Sequence, residues 1–268
     1  MEVEKQINWL HQYVQDAVDK TVNLDVTSTK TAELEALFEK DFVRANQVVA
    51  QEVVEKSLLS AYIQLNRVWE IYKSCNSAKG ENNLYSFSSN FRSLLEFCGD
   101  GVYSLKPVIK YLSQNNDQLA SAYRGNFRSV LSLENSLKDL DHFLFAGNSG
   151  YEKNVSAKKY ISAIDPNLYQ IYGELCEHSH PASLGNFMWL QQHDEIQATF
   201  SKSEYATNAS EQISRFLPAM YAVAVHGFSV ALILIELIVE LELNLDSTKL
   251  FDSFDFKPLS EFRVLFEQ

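Results

Sequence analysis

The chain has few residues that end or interrupt a helix, since its 268 positions include only nine glycines and five prolines. These residues mark the turns of β-rich proteins, so their scarcity argues against many short strands. Hydrophobic residues make up 46% of the chain and charged residues 22%, which is typical of a globular protein and excludes disorder. We therefore expect long helices joined by few loops.

Cysteine is also scarce. Cys75, Cys98 and Cys176 lie far apart, and no CxxC pair occurs. An odd number of separated cysteines predicts free thiols in a reducing compartment rather than a disulfide framework. The first residues lack the basic and then apolar layout of an export signal. We expect a cytoplasmic protein.

Basic residues form no stripe or cluster, and the net charge is −12. A surface of this kind repels the phosphate backbone, so we do not expect duplex nucleic acid as a partner. No phosphate loop, dinucleotide fingerprint or serine-centred elbow is present. We expect no cofactor, and an unidentified ligand or protein partner, with a homodimer left open.

Apolar residues recur at three- and four-residue spacing through most of the chain, which predicts an all-α multi-helix bundle with long helices. Pro107 is expected to kink or end one of them, because proline lacks the N–H and clashes with the preceding turn. Asp165 and Pro166 are typical of a helix start. The expected helices cover residues 2–22, 31–74 (one helix or two nearly collinear ones), 85–105, 115–145, 165–180 and 208–245.

Residues 187–205 break this periodicity and predict a small hairpin or an irregular segment. No internal repeat and no clear linker occurs, so residues 1–268 are interpreted as a single α-helical domain. Its phenylalanine-rich tail, about residues 249–268, is expected to pack back on the bundle.

Residues 217–239 contain His226 and Glu236 but no other charge, which approaches the length of a membrane span. Pro218 and His226 interrupt the segment, and no Lys/Arg cluster anchors either end. A buried central helix is also apolar on all sides. We favour a core helix and keep a membrane-associated protein as an alternative.

The helix expected over residues 165–180 concentrates the groups that can carry chemistry. Glu174 and His178 are four residues apart, and Glu177 and His180 are three apart, so each pair shares a helix face. His178, His180 and Glu177 are therefore the candidate catalytic residues. A histidine in the last turn of a helix is also favoured by the helix dipole alone.

Glu-x-x-His is half of the motif that di-metal helical bundles use, and no second copy occurs here. We therefore predict no metal site. If a metal is found, the candidate ligands are Glu96, Glu174, His178 and His180.

A second constellation is Arg92 and Glu96, four residues apart in an apolar stretch. A buried charge must be paired, so we expect this helix to face the later one across a polar pocket. Cys176, next to Glu177 and near both histidines, is better interpreted as a small packing residue than as a nucleophile. The candidate binding residues are Arg92, Glu96, Tyr172, Glu174, Glu177 and His180.

These positions resemble a loosely defined class of bacterial all-helical proteins of unknown function, which pair an Arg-x-x-x-Glu helix with a Tyr-x-x-Leu-(Cys/Ser)-Glu-x-x-His-Pro helix. The matching residues here are Arg92, Glu96, Tyr172, Leu175, Cys176, Glu177, His180 and Pro181. The resemblance implies a helical fold with a pocket and a distant similarity to HEPN domains. No histidine of this chain follows an arginine at the spacing of the HEPN ribonuclease signature.

We therefore expect a binding or interaction module whose polar pocket lies between the Arg92 and His180 helices. One alternative is a hydrolase, metal-assisted or HEPN-like, with His178 or His180 as base, Glu174 or Glu177 orienting it, and Arg92 holding an anionic group. The other is the membrane-associated protein using residues 217–239.

Overall fold

The computed structural model describes residues 2–24, 26, 28–129, 133–145, 155–179, 188–192 and 198–267. About 80% of this part of the chain is helical, which confirms the all-α prediction. The helices are α1 (Glu2–Asp19), α2 (Thr31–Lys40), α3 (Phe42–Gly80), α4 (Leu84–Tyr123), α5 (Glu134–Phe145), α6 (Ala157–Ile164), α7 (Leu168–Ser179), α8 (Lys202–Val239), α9 (Asp246–Lys249), a 3-10 turn (Lys257–Leu259) and α10 (Ser260–Glu267).

The irregular segment expected near residues 187–205 contains a small hairpin. Strands β1 (Leu190–Gln192) and β2 (Ala198–Phe200) pair antiparallel, with Leu190 opposite Phe200. The prediction of a hairpin is therefore confirmed for the part of this segment that the structure describes.

Pro107 does not end its helix, so the end that was one of the two expected outcomes there is wrong. Helix α4 continues through Pro107 to Tyr123, and its backbone departs from helical angles at Asn115 instead (φ −129°, ψ 22°). Proline removes only one backbone hydrogen bond, and the buried neighbours Leu105, Val108 and Ile109 keep this stretch packed. The Asn115 side-chain amide donates to the Tyr111 carbonyl over 2.9 Å and keeps it paired.

The single helix expected over residues 115–145 is also wrong. Helix α4 ends at Tyr123, and α5 is a separate helix that begins at Glu134. Gly125, two residues after α4, has a φ of +73°. This left-handed conformation is open to glycine at little cost and is a common way to end a helix.

Helix α6 was not predicted from the sequence. The Ser156 side chain caps it by accepting a hydrogen bond from the Lys159 backbone N–H over 3.4 Å. Serine is a strongly preferred N-cap residue. Helix α7 then begins after Asp165, whose carboxylate accepts from the Asn167 N–H over 2.8 Å.

The chain divides into two compact units, each made of separate segments. The first unit comprises Met1–Asn66, Gly101–Asn154 and Gly227–Gln268, and the second comprises Arg67–Asp100 and Val155–His226. The interpretation of residues 1–268 as one domain stays a prediction.

The core of the first unit includes the second half of α8, where every residue from Phe228 to Ile235 is buried. The phenylalanine-rich tail packs within this unit. The Phe251 ring lies 6.2 Å from the Tyr62 ring, and the Phe254 ring lies 4.9 Å from the Tyr13 ring. The tail therefore buries Phe251 and Phe254 against α3 and α1.

Among the described residues, one helix is both long enough and apolar enough to cross a membrane. This helix is α8, which contains an 18-residue window of mean hydropathy 2.3. Of this window, 72% is buried inside the structure. A buried core helix passes the same test, so the finding is weak evidence for a membrane span.

Candidate functional site

The second unit positions the site residues of α4 through the apolar face of this helix. Phe91, Leu94 and Leu95 are fully buried, and Arg92 and Glu96 lie on the half-buried flank beside this face. The apolar residues face the core of the unit because the helical period places them on one side. Arg92 and Glu96 therefore remain accessible at the edge of a packed helix.

Helix α7 meets α4 through one short hydrogen bond. The Tyr172 hydroxyl donates to Glu96 Oε1 over 2.6 Å. Burial, reinforced by this hydrogen bond to the Glu96 carboxylate, raises the pKa of the Tyr172 phenol above its ordinary value. Tyr172 therefore stays protonated and acts as a donor at neutral pH.

Arg92 lies next to the same carboxylate without a direct hydrogen bond from its Nε. This nitrogen is 4.0 Å from Glu96 Oε1, and the side chains of Arg92 and Glu96 are 29% and 36% exposed. The separation is too long for a hydrogen bond but short enough for charge attraction. The guanidinium and the tyrosine hydroxyl thus approach the same oxygen of Glu96.

A pair of stacked tyrosine rings extends from this contact along α7. The Tyr169 and Tyr172 rings lie 5.9 Å apart at an angle of 13°, and Tyr169 is 40% exposed. The Lys158 ammonium on α6 lies 5.6 Å from the centroid of the Tyr169 ring. We call Arg92, Glu96, Tyr169 and Tyr172 the α4–α7 cluster.

Glu174 has a partner that the sequence analysis did not identify. Arg215 on α8 contacts Glu174 Oε2 through an Nη atom at 2.6 Å, with the arginine 54% exposed. The Arg215 guanidinium also lies 4.6 Å from the Phe216 ring. A sequence signal existed, because Arg215 is the only lysine or arginine between Lys202 and Lys249. Arg215 is therefore the one lysine or arginine side chain over this length that can pair with a carboxylate of another helix.

His178 is a packing residue of the second unit rather than part of the α4–α7 cluster. Its side chain is buried, and its ring lies 6.1 Å from the Phe216 ring in an edge-on arrangement. Among the described residues its Nδ1 has no hydrogen-bond partner. Burial, together with the nearby positive charge of Arg215, lowers the pKa of His178 below its ordinary value.

The remaining site residues separate into those at the surface of α7 and those that the structure does not describe. Glu177 is exposed, and Cys176 is half-buried. His180 and Pro181 lie outside the described residues, so the expected pocket between the Arg92 and His180 helices stays a prediction. Of the candidate binding residues, the structure places Arg92, Glu96 and Tyr172 together and directs Glu174 toward Arg215.

No group of three or more His, Cys, Asp or Glu side chains suited to a metal ion occurs within the described part of the chain. Glu96 and Glu174, two of the candidate ligands, make their contacts with Tyr172 and Arg215. Another candidate ligand, His180, lies outside that part of the chain.

An aromatic column near the hairpin is a further feature that the sequence analysis missed. The Trp189 ring lies 4.0 Å from the Tyr205 ring and 5.6 Å from the Phe200 ring, in nearly parallel planes. Its indole N–H donates to the Tyr85 hydroxyl over 2.8 Å. These contacts fasten the hairpin to the first turns of α4 and α8. The residues are far apart in sequence, so no local pattern connected them.

Comparisons with protein-family models, with curated proteins and with solved structures found no match for this chain.

Proposed function

We propose that this protein is a non-enzymatic binding module whose ligand site is the α4–α7 cluster. The observation that supports the proposal best is the 2.6 Å hydrogen bond from the Tyr172 hydroxyl to Glu96 Oε1, beside Arg92. It joins two helices at a half-buried position, so the polar groups are held in place before a ligand arrives. Such preorganisation lowers the entropic cost of binding.

The burial of His178 favours a binding function over hydrolysis. A general base must come within hydrogen-bond reach of its substrate. His178 is 1% exposed and packs against Phe216, which is unsuitable for that role. Glu177 is exposed, whereas His178, the described histidine of the same helix, is buried. The hydrolase alternative therefore depends on His180.

The test combines ligand titration with assays of turnover. The purified chain is titrated by calorimetry with inorganic phosphate and with cadaverine, a diamine, each to about 10 mM, which reaches Kd values in the millimolar range. The same preparation is incubated with bis-p-nitrophenyl phosphate and p-nitrophenyl acetate. We expect one probe to bind and neither ester to be hydrolysed. Glu96→Gln should weaken the binding of cadaverine or strengthen that of phosphate, because it removes a negative charge from the cluster.

Glu174→Gln is the matched control, because this carboxylate pairs with Arg215 and lies outside the cluster. Binding should be unchanged in it. Turnover that disappears in His180→Ala would replace the proposal with the hydrolase alternative. If neither probe binds to the folded protein, the α4–α7 cluster is structural and the proposal fails.

The membrane-associated alternative has one supporting observation, the hydropathy of α8. It is tested by lysing cells that express the chain in a buffer without detergent and separating the membranes by centrifugation. A binding module of the proposed kind should remain in the supernatant. Recovery in the membrane pellet that resists high salt and alkaline washing would favour the alternative.

A further inference from the structure

The two oxygens of the Glu96 carboxylate differ in their surroundings. Oε1 accepts the Tyr172 hydroxyl at 2.6 Å and is the oxygen nearest to Arg92 Nε, at 4.0 Å. No described residue forms a hydrogen bond or ion pair with Oε2, and the side chain is 36% exposed. An ionised carboxylate has about four lone-pair sites for hydrogen bonds, so most of its acceptor capacity remains available. Within the described part of the chain, the carboxylate is thus held by one oxygen and has no bonded partner at the other.

The groups beside this carboxylate suit a positive charge. The rings of Tyr169 and Tyr172 are stacked, and Tyr169 is 40% exposed. The Lys158 ammonium already lies 5.6 Å from the Tyr169 centroid, so this ring is in contact with a cation within the protein itself. Aromatic faces attract ammonium groups through the ring quadrupole, and a nearby carboxylate adds charge attraction and a hydrogen-bond acceptor.

The net charge of the chain also favours a cation as the ligand. The net charge of −12 raises the local concentration of cations and lowers that of anions. Arg92 acts in the opposite direction, because its guanidinium partly neutralises Glu96. A cation at Oε2 would therefore bind more tightly without Arg92, whereas an anion would bind less tightly. This difference in sign separates the two kinds of ligand.

We propose that the α4–α7 cluster binds an organic ammonium group at Glu96 Oε2, flanked by the Tyr169 and Tyr172 rings. The inference rests on the proposed function and specifies its ligand. The ammonium group belongs either to a small amine or to a lysine side chain of a protein partner, since both present the same chemistry to the carboxylate. The binding of a duplex or of a simple phosphate is not expected at this position.

The experiment titrates the 268-residue chain by calorimetry at low salt with cadaverine, with the peptide acetyl-Gly-Lys-Gly-amide and with inorganic phosphate. We expect an ammonium probe to bind, and Glu96→Gln to weaken it by about tenfold or more, as for a lost charge-assisted contact. Tyr172→Phe should weaken it by about threefold, because Glu96 loses the hydrogen bond that orients it. Arg92→Ala should strengthen it by about threefold, because a competing positive charge is removed.

The control variants are Glu174→Gln and Lys158→Met. Glu174→Gln should leave the affinity unchanged, since Glu174 contacts Arg215. Lys158→Met should not weaken binding, because it removes a cation from the Tyr169 face. Circular dichroism melting of each variant confirms that the protein remains folded. Tighter binding of the peptide than of cadaverine would indicate a protein partner, and the reverse order would indicate a small amine.

Two results would overturn the inference, and they differ in what they leave standing. Phosphate binding that is lost in Arg92→Ala, without binding of either ammonium probe, would make the cluster an anion site. The binding function would then stand and the ammonium inference would fail. If no probe binds to the folded wild-type protein, both fail together.

Discussion

Gly99 on α4 lies directly against the backbone of Tyr160 on α6. A Cβ atom at position 99 would be 2.6 Å from the Tyr160 carbonyl oxygen and 3.0 Å from the Ile161 nitrogen. Side-chain atoms do not approach backbone atoms this closely in folded proteins, so only glycine allows this contact. In the second unit, the position of α6 therefore depends on glycine, which has no side chain, at position 99 of α4.

We expect Gly99→Ala to destabilise the protein by about 1–3 kcal/mol, the usual cost of overpacking. Alanine is the better helix former by about 1 kcal/mol, so a loss of stability would show that the contact outweighs propensity. The measurement is urea denaturation followed by circular dichroism. Gly173→Ala is the control, because Gly173 is exposed on α7 and a Cβ added there would meet nothing within 4 Å apart from its chain neighbours and the backbone of its own helix. It should gain about 0.5–1 kcal/mol.

Lys56→Met should be among the most destabilising single changes in the first unit. The Lys56 side chain is 3% exposed, and its Nζ lies 2.7 Å from Glu52 Oε1 and 2.5 Å from Asp141 Oδ1. Removing the ammonium leaves two carboxylates near each other with little solvent, at a cost of about 3–5 kcal/mol. Chemical denaturation measures the loss.

The control for Lys56 is Lys249→Met, whose partner Asp246 has a 99% exposed side chain. This change should cost less than about 1 kcal/mol, because solvent screens exposed ion pairs. Removing all three charges with Lys56→Met, Glu52→Gln and Asp141→Asn together should recover part of the loss, because no unpaired carboxylate remains. Equal effects at Lys56 and Lys249 would contradict the prediction.

The burial of His178 predicts a loss of stability in mild acid. Its pKa is lowered in the folded protein, mainly by burial, so the unfolded chain binds the proton more readily. Stability should be complete above the unfolded pKa of about 6.5 and should fall as the pH drops from there toward the folded pKa. Urea denaturation at pH 7.0 and pH 5.5 measures the difference.

The variant for this test is His178→Gln, in which the extra loss of stability between pH 7.0 and pH 5.5 should shrink. His11→Gln is the control, because it removes a histidine that is only half-buried on α1. An acid sensitivity that is the same in the wild type and in His178→Gln would assign it to carboxylates instead.

The contact between Tyr172 and Glu96 should appear as a coupling free energy in a double-mutant cycle. Tyr172→Phe and Glu96→Ala, alone and combined, should give a coupling of about 1 kcal/mol, because the hydrogen bond is charge-assisted but half-exposed. Tyr169→Phe is the control, since the structure gives the Tyr169 hydroxyl no hydrogen bond with a described residue. Additive effects of the Tyr172 and Glu96 changes would show that the two side chains do not interact in solution.

Helix content could be predicted from the sequence because it depends on local periodicity. The spacing of Leu10, Val14 and Ala17 reports one face of α1, and these residues are buried. The prediction that a helix could end at Pro107 failed because it considered only the local effect of proline on a helix. The buried neighbours of Pro107 support the helix through this position. Helix α6 was missed because it is only eight residues long, which is about two turns and too short for a helical period to be recognised in a sequence.

The candidate site could be predicted only in part. Tyr172, Glu96 and Arg92 were selected for their residue types, and the structure places them in contact across two helices. Glu174 and His178 share a face of α7 as their spacing requires. Their spacing could not reveal that Arg215 pairs with the first and Phe216 covers the second. Partners on a distant segment are set by three-dimensional packing, which the period of one helix does not contain.

The amino-acid pattern by itself determined that this chain is helical, because the side-chain period and the scarcity of turn residues act within a few neighbouring positions. Only the tertiary structure decided what each polar side chain does. Tyr172 reaches Glu96 because α7 packs beside α4, and His178 is buried because the same helix directs it toward Phe216. Burial and charge pairing depend on which helix faces lie together in space, and that arrangement results from packing of the whole chain.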